Sequence, residues 1–264
     1  MKIMKTKSIL AVVAMWLLCA AAVSAAEKWQ VPHETLTYNI MYKWGLINKK
    51  AGTVKITTAL TDGGNRFSAK LTGATAPWAD RFYKVRDTLM GSIDHHNFLP
   101  YRYEKITSEG GDNAHDEITF HRDGNHTSAD VIHRRKRKKE TVYSEIRQVL
   151  EANGVTLDML SSFYYMRQLN YATMKKGQTV RVNVFSGRQK EILTIHYDDK
   201  VQVEIDKRKV EAYHITFTFT TESGRKSSDN MDAWISTDSR RIPLLMEGKL
   251  PVGKVRAIYA GPNV

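Results

Sequence analysis

The chain has 264 residues, 42% of them hydrophobic and 26% charged, with one cysteine and a formal net charge of +12. This composition excludes a disordered or collagen-like polymer, and a lone thiol excludes an internal disulfide framework. The length suits one large domain or two small ones. The excess of 40 Lys and Arg over 28 Asp and Glu invites a nucleic-acid reading, which depends on where those charges lie.

Lys2, Lys5 and Lys7 precede an uncharged apolar run from Ile9 to Cys19, and mostly small residues follow to Ala26. Val23-Ser24-Ala25 fits the small-residue cleavage pattern, with Ser24-Ala25-Ala26 as the alternative. Residues 1–26 are therefore expected to be a cleaved export signal and 27–264 a single mainly-β domain. The apolar run is about half of the roughly 20 residues that a bilayer-spanning helix needs. Lipid attachment at Cys19 is disfavoured, because Leu18 stands where that pattern requires a small residue. Removal of the signal takes the only cysteine, and with it any thiolate nucleophile or Cys-based metal site. Its three lysines lower the net charge from +12 to +9.

Strand periodicity begins at once. From Glu34 to Trp44, Leu36, Tyr38, Ile40, Tyr42 and Trp44 fall on one face, and Val54, Ile56, Thr58 and Leu60 repeat the alternation. Thr61 to Asn65 is turn chemistry, after which Phe67, Ala69 and Leu71 resume the period. Strands are predicted over 88–93, 101–107, 115–121, 126–133, 179–185, 191–197, 201–205, 210–220, 231–237, 242–250 and 254–259. Short Gly- and Asp-rich turns separate many of them, as in Ser186-Gly187-Arg188-Gln189. Turn signals at this spacing predict antiparallel pairing. The exception is 157–169, where Leu157, Leu160, Phe163, Tyr164 and Met166 approach helical spacing and Thr156 or Asp158 can cap the start. A weaker helical turn is predicted over 76–83. The expected fold is one curved antiparallel sheet, or an incomplete β-barrel, with a single inserted helix around 157–169.

Three stretches carry a resemblance to a known family. They are Leu36-Thr37-Tyr38-Asn39-Ile40-Met41-Tyr42-Lys43-Trp44-Gly45 running on to Ala51-Gly52; Asp158-Met159-Leu160-Ser161-Ser162-Phe163-Tyr164-Tyr165-Met166-Arg167 with Gly177 and Val184-Phe185; and Ala233-Trp234-Ile235-Ser236 through Arg241-Ile242-Pro243-Leu244 and Glu247-Gly248 to Val252-Gly253-Lys254-Val255. In these the chain resembles the exported bacterial proteins catalogued as domain of unknown function 3108. The resemblance spans nearly all of the chain after the signal. It implies the fold and export, and it brings no activity or site residue with it. At fold level alone, such a sheet is similar to the open half-barrels of periplasmic lipoprotein carriers.

Two sets of residues are candidates for binding. On the helix, Tyr164, Tyr165 and Arg167 offer an anion clamp backed by two phenols; the alternative is a capped helix that plugs the sheet, with Arg167 tied to carbonyls or an acid. The run from His133 to Lys139 holds six permanent positive charges, of which Arg134, Arg135, Lys136 and Arg137 are the binding candidates. Removing those six from the +9 leaves only +3 for everything else, so the domain is nearly balanced and no nucleic-acid partner is expected. Aromatics are not interleaved with these charges, which also argues against a stacking site for nucleic acid. After export to the periplasm of a Gram-negative bacterium, the polyanions at hand are lipid and envelope glycan.

No metal, cofactor or catalytic site is expected. His95 and His96 cannot share a strand face, and no compact His ligand set occurs. There is no G-x-S-x-G elbow and no Gly-rich phosphate loop. The sequence therefore leads to a non-catalytic periplasmic protein that binds an apolar or amphiphilic envelope component, with Leu36, Tyr38, Ile40, Tyr42, Trp44, Phe217 and Phe219 available to line a concave face. A scaffold contacting anionic lipid or glycan through the basic loop is the first alternative, and a hydrolase with a dispersed site around Arg167 and a histidine is the second.

Overall fold

The period-2 runs become strands of one sheet. In the computed structural model, which describes residues 29–205, 207–250 and 252–261, fifteen strands join in the order β8-β7-β6-β5-β4-β3-β2-β1-β15-β14-β13-β12-β11-β10-β9. Residues 1–26, expected to form the export signal, lie outside the described residues. The first half of the sheet is a meander of β1 (Glu34–Trp44), β2 (Ile47–Thr61), β3 (Arg66–Thr75), β4 (Val85–Asp94), β5 (Pro100–Glu109), β6 (Asp112–Asp123), β7 (His126–Lys136) and β8 (Ser144–Asn153). The second half comprises β9 (Thr156–Leu157), β10 (Thr179–Phe185), β11 (Lys190–Ile205), β12 (Arg208–Thr221), β13 (Met231–Ser236), β14 (Pro243–Lys249) and β15 (Lys254–Tyr259). The halves join where β1 pairs antiparallel with β15, from Tyr38 opposite Tyr259 to Lys43 opposite Lys254. All pairings are antiparallel except that of the two-residue β9, which runs parallel to β10.

The sheet curls until its two edges nearly meet. Asn183 on β10 donates its backbone N–H to the Val155 carbonyl at 2.9 Å and its side-chain amide to the Asn153 carbonyl at 2.8 Å. Further along, Gln148 of β8 donates to the Arg188 carbonyl at 2.8 Å. Inside this seam, Phe120 stacks on Phe185 with centroids 5.8 Å apart. The result is a barrel-shaped sheet closed along part of one seam.

Among the described residues two α-helical segments interrupt the strands, the short α1 (Pro77–Asp80) and α2 (Met159–Gln168). The latter lies within the predicted helix and starts two residues later, since Thr156 and Leu157 pair with β10. Asp158 starts α2 with a capping box. Its carboxylate accepts from the backbone of Leu160 and Ser161 at 2.6 and 2.8 Å, while the Ser161 hydroxyl accepts from the Asp158 N–H. The helix buries Leu160, Tyr164 and Met166 against the sheet interior.

The interior is filled. One apolar cluster joins Leu36, Tyr38, Phe67, Ile93, Tyr103 and Ile118 to Leu160 and Tyr164 of α2. A second gathers Leu193, Ile195, Phe217 and Phe219 with Met166. Of the residues expected to line a concave face, Leu36, Tyr38, Phe217 and Phe219 are core, whereas Trp44 is 55% exposed beyond the last buried position of its strand.

Candidate functional site

Alternation along β7 decides what the basic run can do. Cβ atoms of successive strand residues point to opposite faces, so the run is divided. Thr127, Ala129 and Val131 are buried on the inner face, and His133 and Arg135 continue it. Arg134 and Lys136 stand on the outer face. A loop was expected here, but Arg134, Arg135 and Lys136 belong to the strand and only residues 137–139 lie in the turn.

The outer members are held within the sheet surface. Arg134 pairs with Glu117 at 2.6 Å and Glu145 at 2.7 Å. Glu117 also meets Arg102 at 3.1 Å, and Glu145 meets Arg147 at 2.8 Å. Five side chains of alternating charge thus cross β5 to β8, and the Arg134 guanidinium holds the Glu117 and Glu145 carboxyls below the usual range. Lys136 places its ammonium 5.3 Å from the Tyr143 ring centre.

The inner members face a gap in the seam, created by unequal strand lengths. β10 ends at Phe185 and turns back through Ser186 to Gln189, while β8 continues past Gln148 to Ser144 with no strand on its far side. The resulting hollow measures about 470 Å³, and its lining includes His133, Arg135, Arg137, Arg188 and Glu140 beside Val142, Tyr143 and Ile146. Three guanidiniums stand against one carboxylate. Val142 and Tyr143 are 75% and 49% exposed, so apolar surface adjoins the charges. Arg135 is tied to Asp112 at 2.7 Å, whereas among the described residues the Arg188 guanidinium has no ion pair. A neighbouring polar hollow of about 350 Å³ shares His133, Arg135 and Arg188 and adds Lys105, Glu109 and Asp116.

His133 is fixed from behind. Its Nδ1 forms a short hydrogen bond with the Asp116 carboxylate, which is almost fully buried. Gly187 at the tip of the β10–β11 turn rests on that carboxylate, and a Cβ there would lie 2.9 Å from Asp116 Oδ2. Gly187 also has φ of +85°, a backbone conformation that favours glycine.

Arg167, Tyr164 and Tyr165 sit elsewhere, on α2. Arg167 is fully buried and forms a bidentate pair with Glu34. It also donates to the Arg241 and Arg240 carbonyls at 2.9 and 2.8 Å. Its guanidinium lies 4.7 Å from the Trp29 ring centre and 5.4 Å from that of Phe163. The Tyr164 hydroxyl is 2.7 Å from Thr58 Oγ1, and burial pushes its pKa up to about 12. Tyr165 is half-buried, and its phenol is likewise raised by burial. These three residues tie helix to sheet and are not brought together with the basic run. Among the described residues no group of three or more His, Cys, Asp or Glu side chains is placed to hold a metal.

The family model described as Protein of unknown function (DUF3108) matches residues 37–258, from β1 to β15. The chain belongs to that family. A search of curated proteins finds no match. Among solved structures the DUF3108 fold is similar to a β-barrel-like protein of domain of unknown function DUF1849 from Brucella abortus, with a TM-score of 0.59 and 8% identity over 88% of this chain and 97% of that one. At that identity the likeness concerns fold alone.

Arg135 and Arg137, two of the candidates read from the sequence, stand around the same hollow as His133 and Arg188, which the sequence did not single out for binding. The mouth of this DUF3108 barrel joins strand residues to a turn some fifty positions later, and only the curl of the sheet brings them together. The sequence signal available was Gly187 in a four-residue turn beside Arg188.

Proposed function

We propose that this protein is an exported, non-catalytic binding protein that holds an anionic amphiphile of the cell envelope at the open end of its seam. The observation that carries the reading is the juxtaposition of Arg135, Arg137 and Arg188 with exposed Val142, Tyr143 and Ile146 around one hollow. A charged headgroup meets donors and an acyl chain meets apolar surface, which is the pairing an amphiphile requires. Each basic residue near an anionic lipid surface contributes about 1 kcal/mol. The filled interior argues against carriage of an apolar ligand inside the barrel, so the amphiphile is read as held at the mouth. Arg167 has no place in this reading, because its donors are committed to Glu34 and two carbonyls.

Flotation with phosphatidylcholine vesicles, with and without phosphatidylglycerol, tests the proposal. The wild-type protein is expected to float only with the anionic vesicles, and the Arg135→Ser, Arg188→Ser variant is expected to stay behind. Equal flotation of both proteins would remove the reading.

A further inference from the structure

We propose that the mouth prefers phosphomonoesters to phosphodiesters, and that His133 is the residue that distinguishes them. This inference rests on the anionic-amphiphile reading and narrows its ligand.

The reasoning starts from the hydrogen bond between His133 and Asp116. A carboxylate accepts, so the ring nitrogen facing Asp116, Nδ1, carries its hydrogen. The second nitrogen, Nε2, is left for the hollow, which His133 lines. The carboxylate lies close under the Gly187 turn, where an added Cβ would come within 2.9 Å of Asp116 Oδ2, and its hydrogen bond to Nδ1 sets the ring's orientation. In a neutral ring Nε2 presents a lone pair, and in an imidazolium it presents a donor.

A phosphomonoester has a second ionisation near pH 6 and so brings a proton into play around neutrality. Its oxygen can meet Nε2 through that proton whichever partner holds it: imidazole with a P–OH, or imidazolium with a dianion. The two descriptions have the same number of protons. A phosphodiester has none to bring. Against a neutral Nε2 its oxygens face a lone pair, and a favourable contact requires a proton taken up from solution.

The other groups around the hollow do not share the ligand's proton. Arg135, Arg137 and Arg188 attract a dianion more strongly than a monoanion, but they are donors at any relevant pH and accept no proton from the ligand. Glu140 repels both ligand classes, and Asp112 already partners Arg135. Lys105 and Glu109 face the adjoining polar hollow and offset one another in charge.

The test is vesicle binding at neutral pH with phosphatidic acid or phosphatidylglycerol in phosphatidylcholine, at matched surface potential. Charge-assisted hydrogen bonds of about 1.5–3 kcal/mol set the scale, so wild-type affinity is expected to be roughly tenfold higher for phosphatidic acid. His133→Gln should lower that preference severalfold, leaving the part due to charge alone, while both vesicle types stay bound. Asp116→Asn still accepts from Nδ1 but frees the amide to flip, and it should also weaken the preference; it serves if His133→Gln fails to fold. Inorganic phosphate should displace the protein better than dimethyl phosphate does.

Equal wild-type binding to the two vesicle types overturns the inference and leaves the amphiphile reading standing. An undiminished preference in both variants overturns the role of His133. Failure of the wild-type protein to bind either vesicle overturns the amphiphile reading itself.

Discussion

Replacing Arg167 with alanine tests whether this buried side chain is structural. Its guanidinium is fully buried, makes a two-pronged pair with Glu34, donates to the Arg240 and Arg241 carbonyls, and lies against Trp29. Truncation leaves the Glu34 carboxylate, which is 12% exposed, without its partner and two carbonyls without a donor. Breaking a buried pair from one side typically costs about 3–5 kcal/mol, so a loss of about 4 kcal/mol is expected. In a domain of this size that lowers Tm by roughly 10 °C. Arg167→Lys keeps the charge but not the fork, and it should recover only part of the loss. Urea unfolding followed by tryptophan fluorescence measures both, and Trp29 reports on the site directly. A cost of about 1 kcal/mol or less for Arg167→Ala would falsify the structural role and return Arg167 to the list of ligand-binding candidates. Vesicle binding by the folded fraction should be unchanged.

Burial raises the Asp158 carboxyl from 3.8 to about 6, against the opposing effect of its capping hydrogen bonds. The folded state thus binds this proton more tightly than the unfolded chain, and the group's contribution is full below pH 4 and fades as pH rises through about 6. Asp158→Asn keeps a cap acceptor without the charge, so the variant should gain about 2–3 kcal/mol relative to wild type between pH 4 and 7; parallel pH–stability curves would refute this. Gly187→Ala forces a side chain into the left-handed region and against Asp116, with an expected loss of about 2 kcal/mol. Adding Asp116→Ala should recover part of that loss, whereas strict additivity would show that the turn does not rest on the carboxylate. Glu117→Gln removes the link between Arg102 and Arg134 in the outer charge ladder; thermal melts should show a loss below about 1 kcal/mol that shrinks at high salt. A large, salt-independent loss would contradict the surface account.

Strand positions were legible because burial on one face imprints a period of two, and Leu36, Tyr38, Ile56, Phe67 and Phe217 all show it. The run at 144–153 carried no such imprint. On the inner face of β8, Gln148 interrupts Ile146, Leu150 and Ala152, while exposed Val149 breaks the outer pattern. Pairing with β7 along its whole length makes it a strand. The break between predicted strands 191–197 and 201–205 proved to be a bulge near Tyr197 and Asp199 within one long β11. For α2, Thr156 and Asp158 were both possible caps, and the structure uses Asp158 with Ser161 as its capping-box partner. The site was less legible. Six consecutive positive charges look like one patch in sequence, yet alternation sends Arg134 to partners on the outer face and Arg135 to the mouth. Arg188 and Asp116 join through the curl of the sheet, which no local pattern encodes.

Hydrogen–deuterium exchange on the wild-type protein, with and without vesicles containing anionic lipid, tests the central claim most directly. Protection confined to residues 133–148 and 185–190 is the predicted result, since those segments enclose the hollow. Protection centred instead on the separate trough of about 500 Å³ lined by Thr57, Lys70, Met90 and Glu104 would contradict it, as would no protection at all.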